Sequence, residues 1–566
     1  MSAQNEHPNK YDVIVVGGGH NGLVAAGYLA KAGRSVLVLE KRELVGGAAV
    51  TEEFYPGFKF SSLADGAGHL PSEVVTDLNL SQHGFQILPT DPLILSLLPD
   101  GNHLAIWHDV NRTIQEITKF SSVDAHAYPK FIEWMYKISR IVAEMNRMTP
   151  PDLPEVGLSD LKGLFSFISP VRGLGWKHII QVVRILPMSI ADLLNEWFQS
   201  DIVKGAIAAS AVNNISSGPQ ESNGTAYNFL YSWSGSNTGL FRSSGQVKGG
   251  MGALTQALAK SAISLGADIL TNTEVIRINI QDGKATGVTL ANGEQILAKT
   301  VISAADMRTT FLKLVDPYYL EPKFVRNVNY LKYHGTMARV HFALGRLPIF
   351  WGLNGGSEQL IKGHVQIAPT VTYIQQAYDP VKYGAYSKQP YLDIQIPTLT
   401  DSSIAPEGKH IMSVTVKYLP YKLSQGNWDE LRDTIAKLVI NILSDYAPDF
   451  GQCVQNYNVI TPLDLEKVYN LPEGNPVHGE MTLNQFMWMR PIPGYAQYRA
   501  PIDGLYLCSA ATHPGGGVTG INGRNASRQI LRDLKYQRKR WRSTCNFIQS
   551  CERSSPSMQK GAQYYN

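Results

Sequence analysis

The chain has 566 residues, of which 44% are hydrophobic and 17% charged, with a formal net charge of +4. That length points to roughly two to four domains or layers, and so small a charge gives no reason to expect a nucleic-acid partner. No run reaches the ~18 apolar residues of a membrane span, and the polar start MSAQNEHPNK reads as neither a secretory signal nor a transit peptide. The four cysteines, Cys453, Cys508, Cys545 and Cys551, form no C-x-x-C pair, so neither a redox dithiol nor a Cys-rich zinc site is expected. Such sparse usage fits a reducing compartment. The expectation is a soluble, cytoplasmic protein with no metal site, and peripheral contact with a membrane surface is left open.

In chain order, Tyr11–Val16 is a short apolar run that predicts a buried parallel strand. Asn21–Ala32 carries Leu23, Ala26, Leu29 and Ala30 toward one side and is followed by Gly33, which predicts a helix. Ser35–Leu39 is a second buried strand. The first turn of this β-α-β unit holds Gly17, Gly19 and Gly22 in G-x-G-x-x-G spacing. Gly17 permits the tight turn, Gly19 lets the backbone approach a pyrophosphate at the helix N-terminus, and Gly22 lets helix and sheet pack closely. Glu40 ends the second strand, where a carboxylate accepts ribose hydroxyls and repels a 2′-phosphate. FAD or NAD is therefore favoured over NADP. The pair Gly46-Gly47 suits a longer cofactor running past the pyrophosphate, or else a plain loop.

From about Ser81 to Ser244 helical stretches dominate, among them Ala125–Arg147 and Ser189–Ala211. The α/β style returns at Lys248, with a helix, a strand and hairpin turns at QDGK and ANGE. A buried strand follows in Lys299–Asp306, then alternating strands and one long helix near Asp429–Asp445. A last buried strand, GLYLCSA, runs into THPGGGVTGINGRN and a helix over Asn522–Leu534. This pattern predicts an α/β fold in which a Rossmann-like nucleotide-binding domain (10–80, 245–306 and 461–534) is interrupted by a mixed α+β second domain (81–244 and 307–460), with a basic polar tail at 535–566. No second G-x-G-x-x-G with its own strand and acid occurs, which argues against a separate NAD(P)H domain. The late cluster, with Gly516, Gly517, Gly520 and Gly523, is expected to hold the flavin end of a two-part cofactor while the early loop holds the ADP end.

The motifs VIVVGGGHNGLVAAGYLAKAG, VLEKRELVGGAA, VKGGMGALTQALA, VISAAD and GEMTLNQFMWMRPIPGYAQYRAPIDGLYLCSAATHPGGGVTGINGRNA resemble the FAD-dependent phytoene dehydrogenase and carotenoid oxidoreductase superfamily, over roughly Tyr11 to Leu531. Within it the look is nearest to the pyridine nucleotide-disulfide oxidoreductase domain-containing protein 2 group and to β-carotene ketolases. The resemblance implies a p-hydroxybenzoate-hydroxylase-like FAD fold, in which the Rossmann-like domain is the FAD-binding domain and the mixed α+β domain the substrate domain. It implies that Gly17, Gly19, Gly22 and Glu40 hold the ADP part, that Gly46 and Gly47 line the pyrophosphate and ribityl chain, that Val275 meets the adenine through its backbone, and that Thr512 to Gly523 lies along the isoalloxazine. No acid lies between Leu505 and Arg524, so contacts there rest on backbone amides.

A flavin takes a hydride from a C–H bond, and the protein places that bond. The expected activity is dehydrogenation of a hydrophobic polyene or carotenoid-like lipid. Ketolation at the same site, a flavin-binding regulatory role, and amine oxidation stand as alternatives. His513 is the side-chain candidate for catalysis, as a proton relay or a stabiliser of reduced flavin, against a structural role. His69 reads as substrate-facing or loop-bracing, His478 and Glu480 as a hydrogen-bonded pair, and Arg524 as needing an anionic or carbonyl partner. The insertion LKGLFSFISPVRGLGWKHIIQVVRILP, with Lys162, Arg172, Lys177 and Arg184, reads as core packing or as a basic surface that dips into a bilayer and admits a lipophilic substrate. The run Lys535–Arg542 reads as a solvated helix end or an anionic-lipid contact.

Overall fold

The computed structural model describes residues 10–64, 66–151, 176–213, 215–235, 245–353 and 357–536. Two seven-stranded sheets organise these residues. In the first, strand Lys10–Val16 lies between Val36–Leu39 and Gln295–Ser303, all parallel, with Ala267–Leu270 beyond Val36–Leu39. Strand Gln295–Ser303 is shared along its length. Its N-terminal residues pair with the hairpin strand Lys284–Leu290, and its C-terminal residues pair with Leu505–Leu507. Ile14, Val16, Leu37 and Leu39 enter one core, and Val13, Val15, Val36 and Val38 enter another. Burial on both faces is why these strands read as unbroken apolar runs. The hairpin turn after Gln281 takes positive φ at both Asp282 and Gly283, the geometry that favours this residue pair.

The second sheet runs Val454–Ile460, Met337–Leu344, His410–Lys417, Leu392–Gln395, His364–Ile367, Ile94–Leu97 and His103–Ile106. One face is apolar. Val340, Phe342, Val414, Val416, Ile394 and Val365 pack with Ile435, Val439 and Leu443 of helix Trp428–Tyr446. The opposite face is polar yet buried, and it matters below. A helical layer containing Ser122–Arg147 and Thr225–Trp233 supplies a further core.

The helix expected over Ser189–Ala211 is broken into Ile190–Asn195, Asp201–Ala208 and a short 3₁₀ turn, Ala209–Val212. The buried carboxylate of Asp124 holds the break open, since it accepts the backbone N–H groups of Gln199 and Ser200, both at 2.8 Å. A side chain from a distant helix thus replaces helical hydrogen bonds, which sequence periodicity cannot show.

Helix Trp176–Ile185 exposes Ile180 and Val183, and its Arg184 pairs with Glu196. Lys162 and Arg172, and the run after Tyr536, lie outside the described residues. Among the described residues no helix is long and apolar enough to cross a membrane.

Candidate cofactor and substrate site

The strand Lys10–Val16 delivers the chain to Gly17, which adopts φ +100° and donates its N–H to Leu39 O at 2.8 Å. A Cβ on Gly22 would lie 2.4 Å from Gly17 O, so only glycine lets helix His20–Lys31 start so close to the strand. Gly19 differs. Its φ is −65° and a Cβ there would meet no protein atom within 4 Å. Its bareness faces open space, the condition for a ligand to touch the backbone. Glu40 is buried. One carboxylate oxygen accepts from Gly18 N at 2.8 Å and the other from Arg42 N at 2.9 Å, which braces the loop while leaving lone pairs for ribose hydroxyls. Gly46 N donates to Gly18 O at 2.8 Å, and Gly47 takes φ +62° with its Cβ position 3.4 Å from Gly19 Cα.

A cavity of about 760 Å³ gathers Gly17, Gly19, Gly22, Glu40, Gly46, Gly47 and Val275 along one side, with Ser509, Ala510, Gly517 and Val518 of the late loop. The other late glycines are placed differently from the expectation. A Cβ on Gly516 would lie 2.0 Å from a Val477 methyl, on Gly520 3.1 Å from Val24, and on Gly523 2.1 Å from Asn21 O. These three are bare because protein packs against them, and they lie outside the cavity lining. Gly523 lets the helix over 521–536 cross helix His20–Lys31 at backbone contact.

His513 also departs from its expected role. Its ring is fully buried outside the cavity lining, and Nε2 donates to Met145 O at 2.9 Å. Burial pulls its pKa down to about 4, so the ring is neutral. It ties the late loop to helix Ser122–Arg147. Two histidines take the place expected of it. His20, a variable position of the glycine motif, and His478 both line the cavity. Burial holds His20 down to about 4, with His478 nearby adding to the shift and a hydrogen bond to the Gly517 backbone opposing it. His478 does not pair with Glu480. Glu480 instead bonds His334 Nδ1 at 2.7 Å, which raises the pKa of that ring. His69 lines the cavity and stacks on Tyr231, whose hydroxyl donates to Gly516 O at 2.7 Å. Arg524 lies outside the cavity lining, near Tyr28, and its buried Nε has no hydrogen-bond partner among the described residues.

The late loop is held in shape by a residue with no sequence signal of its own. Arg490 is buried, and its guanidinium donates to the carbonyls of Val477, Gly479, Glu480, Gln485 and Ala510 at 2.7–3.2 Å. Beyond the late loop the cavity reaches the polar face of the second sheet at Met337, His364, Asp393 and Thr415, flanked by Asn213 and Ser232. His364 Nδ1 lies 2.8 Å from Asp393 Oδ1. None of these far-end residues follows a motif, because they meet only through cross-strand register.

The arrangement fits FAD. The open Cα of Gly19 and the buried Glu40 stand at one end, and Gly517 and Val518 at the other. Comparison with known proteins agrees. The family model described as flavin containing amine oxidoreductase matches residues 22–531. The rat pyridine nucleotide-disulfide oxidoreductase domain-containing protein 2 is 35% identical over 548 residues, covering 93% of this chain and 94% of its own. One of the subunits of limonene dehydrogenase from Castellaniella defragrans is 28% identical, covering 92% and 95%. The neurosporene-forming phytoene desaturase of Cereibacter sphaeroides is 25% identical, covering 90% and 92%. An oxidoreductase structure from Methanosarcina mazei superposes with a TM-score of 0.57 at 17% identity, covering 92% and 100%, and shares the fold.

Proposed function

Because this chain belongs to the flavin containing amine oxidoreductase family, we propose that it is an FAD-dependent dehydrogenase that desaturates a lipophilic, polyene-like molecule. FAD, when bound, supplies the two-electron acceptor. The substrate loses a hydride from one carbon and a proton from its neighbour, leaving a double bond. The backbone at Gly17–Gly19 and the start of helix His20–Lys31 hold the pyrophosphate, and Glu40 takes the ribose. His20 and His478, kept neutral by burial, stand where a proton can be received beside Gly517. The observation that carries this reading is the single continuous cavity, which joins the dinucleotide loop to a face of the second sheet. The names of the limonene and phytoene enzymes, matched along nearly their full lengths, support a hydrocarbon-like substrate.

The test is anaerobic mixing of the FAD-loaded protein with phytoene, limonene and unsaturated fatty acids. Bleaching of the flavin by at least one, with a product two hydrogens lighter, is expected. A flavin that stays oxidised with all of them sinks the proposal, and a product heavier by oxygen marks ketolation instead.

A further inference from the structure

The polar face of the second sheet carries one row across five strands: Arg339, Thr415, Asp393, Gln366 and Ser96 are cross-strand neighbours in that order. All five are buried. The neighbouring rows add His341, Ser413 and Gln395, and then Met337 opposite Lys417. An antiparallel sheet ordinarily turns such a face to water. Here it forms the far wall of the cavity, where Met337, His364, Asp393 and Thr415 line open space.

Lys417 is the feature that needs an explanation. Its side chain is buried, and its Nζ donates to Asn213 O at 3.2 Å. Among the described residues no carboxylate offsets its charge, and the Tyr418 ring centroid is 5.9 Å away. Asp393 is engaged by His364, and Arg339 donates to Thr415 Oγ1. An ammonium carries three donors, and burying one without an anionic partner is costly. Burial alone brings its pKa down to about 7. Lys417 stands just behind the cavity lining, which is formed here by Asn213, whose carbonyl accepts from Nζ, and by Met337 and Thr415, its neighbours on the face. A wall built to receive a bare hydrocarbon gains nothing from this set of groups.

We infer that the far end of the cavity binds a carboxylate of the substrate, received by the Lys417 ammonium beside Asn213 and Thr415. The substrate is then a lipid acid, its chain reaching back toward the flavin end. This rests on the reading that the cavity takes FAD and a substrate in line.

The FAD-loaded protein is titrated by calorimetry, and by flavin absorbance, with four colourless probes: benzoate, linolenate, methyl linolenate and squalene. The two acids are expected to bind, and to bind at least ~10-fold more weakly to Lys417→Met while Lys417→Arg retains them. The ester and squalene should be indifferent to either substitution. Lys417→Met removes a buried charge without opening a cavity, so the variant should fold, and should melt at a higher temperature than the wild type in the absence of acid. Neutral probes binding as tightly as acids, no acid binding to a protein that holds FAD, or acid binding unchanged in Lys417→Met would each overturn the inference. Failure to hold FAD would instead sink the site reading itself, so the two failures are told apart.

Discussion

Glycines in this chain do two jobs, and a hypothetical Cβ separates them. Gly19 has a φ that any residue tolerates and no protein neighbour within 4 Å. Gly19→Ala should therefore leave apoprotein melting unchanged while weakening FAD binding by ~10-fold or more, about 1.4 kcal/mol, as read by fluorescence titration. Gly523 behaves in the opposite way. Gly523→Ala forces a methyl against Asn21 O and Ala25 N and should cost about 1–3 kcal/mol in urea unfolding, whether or not FAD is present. The early G-x-G-x-x-G is legible because its roles are local: turn, approach and helix start fall within six residues. The late cluster reads equally like a cofactor loop, yet Gly516, Gly520 and Gly523 answer to residues 39 to 502 positions away, Val477, Val24 and Asn21. Spacing alone cannot reveal a partner so remote.

At the scale of elements, the late strand Leu505–Leu507 and the loop after it are fixed by tethers. Arg490 gathers five carbonyls, Asn522 Nδ2 reaches Ser509 O and Gly515 O, and the hydroxyl of Tyr498 donates to His513 O at 2.8 Å. Replacing Arg490 by Met leaves those carbonyls buried and unpaired. Arg490→Met should lose about 3–5 kcal/mol of stability and release FAD, checked by denaturation of the variant and by its flavin content. The strands of both sheets are readable where they are apolar on one or both faces. The buried polar face is not, since alternation of apolar and polar residues along Met337–Leu344 or His410–Lys417 predicts water on the polar side. Only the placement of the helical layer and the cavity over that face shows that it is enclosed.

Across the whole molecule, buried titratable groups set the response to pH. His341 and His513 are fully buried, and burial holds them at about 3 and about 4, below the ordinary 6.5. Between those values and 6.5 the unfolded chain binds more protons than the folded one. Their contribution is thus complete above about pH 6.5 and is lost as pH falls, by about 1.4 kcal/mol per pH unit for each. Lys417, opposite Met337 and bonded to Asn213 O, is held by burial at about 7 against an ordinary 10.5, so the unfolded state again binds more protons and stability rises between pH 7 and 10. Melting temperature should climb from pH 4 to 6.5 and rise again in the alkaline range, the second rise vanishing in Lys417→Met. A flat profile over pH 4–6.5 would contradict the buried, neutral histidines.

Family resemblance singled out FAD, while the residues by themselves determined the dinucleotide-binding unit, Glu40 at its strand end, and the return of the chain to the first sheet near its close. Each depends on neighbours in the chain, where backbone geometry and periodicity leave a direct mark. Tertiary structure alone decided which late glycines face the cavity, that His20 and His478 rather than His513 stand at its wall, and that a polar sheet face closes its far end. Those outcomes depend on which distant strands align and what covers them, and contact between residues hundreds of positions apart leaves no local pattern to read.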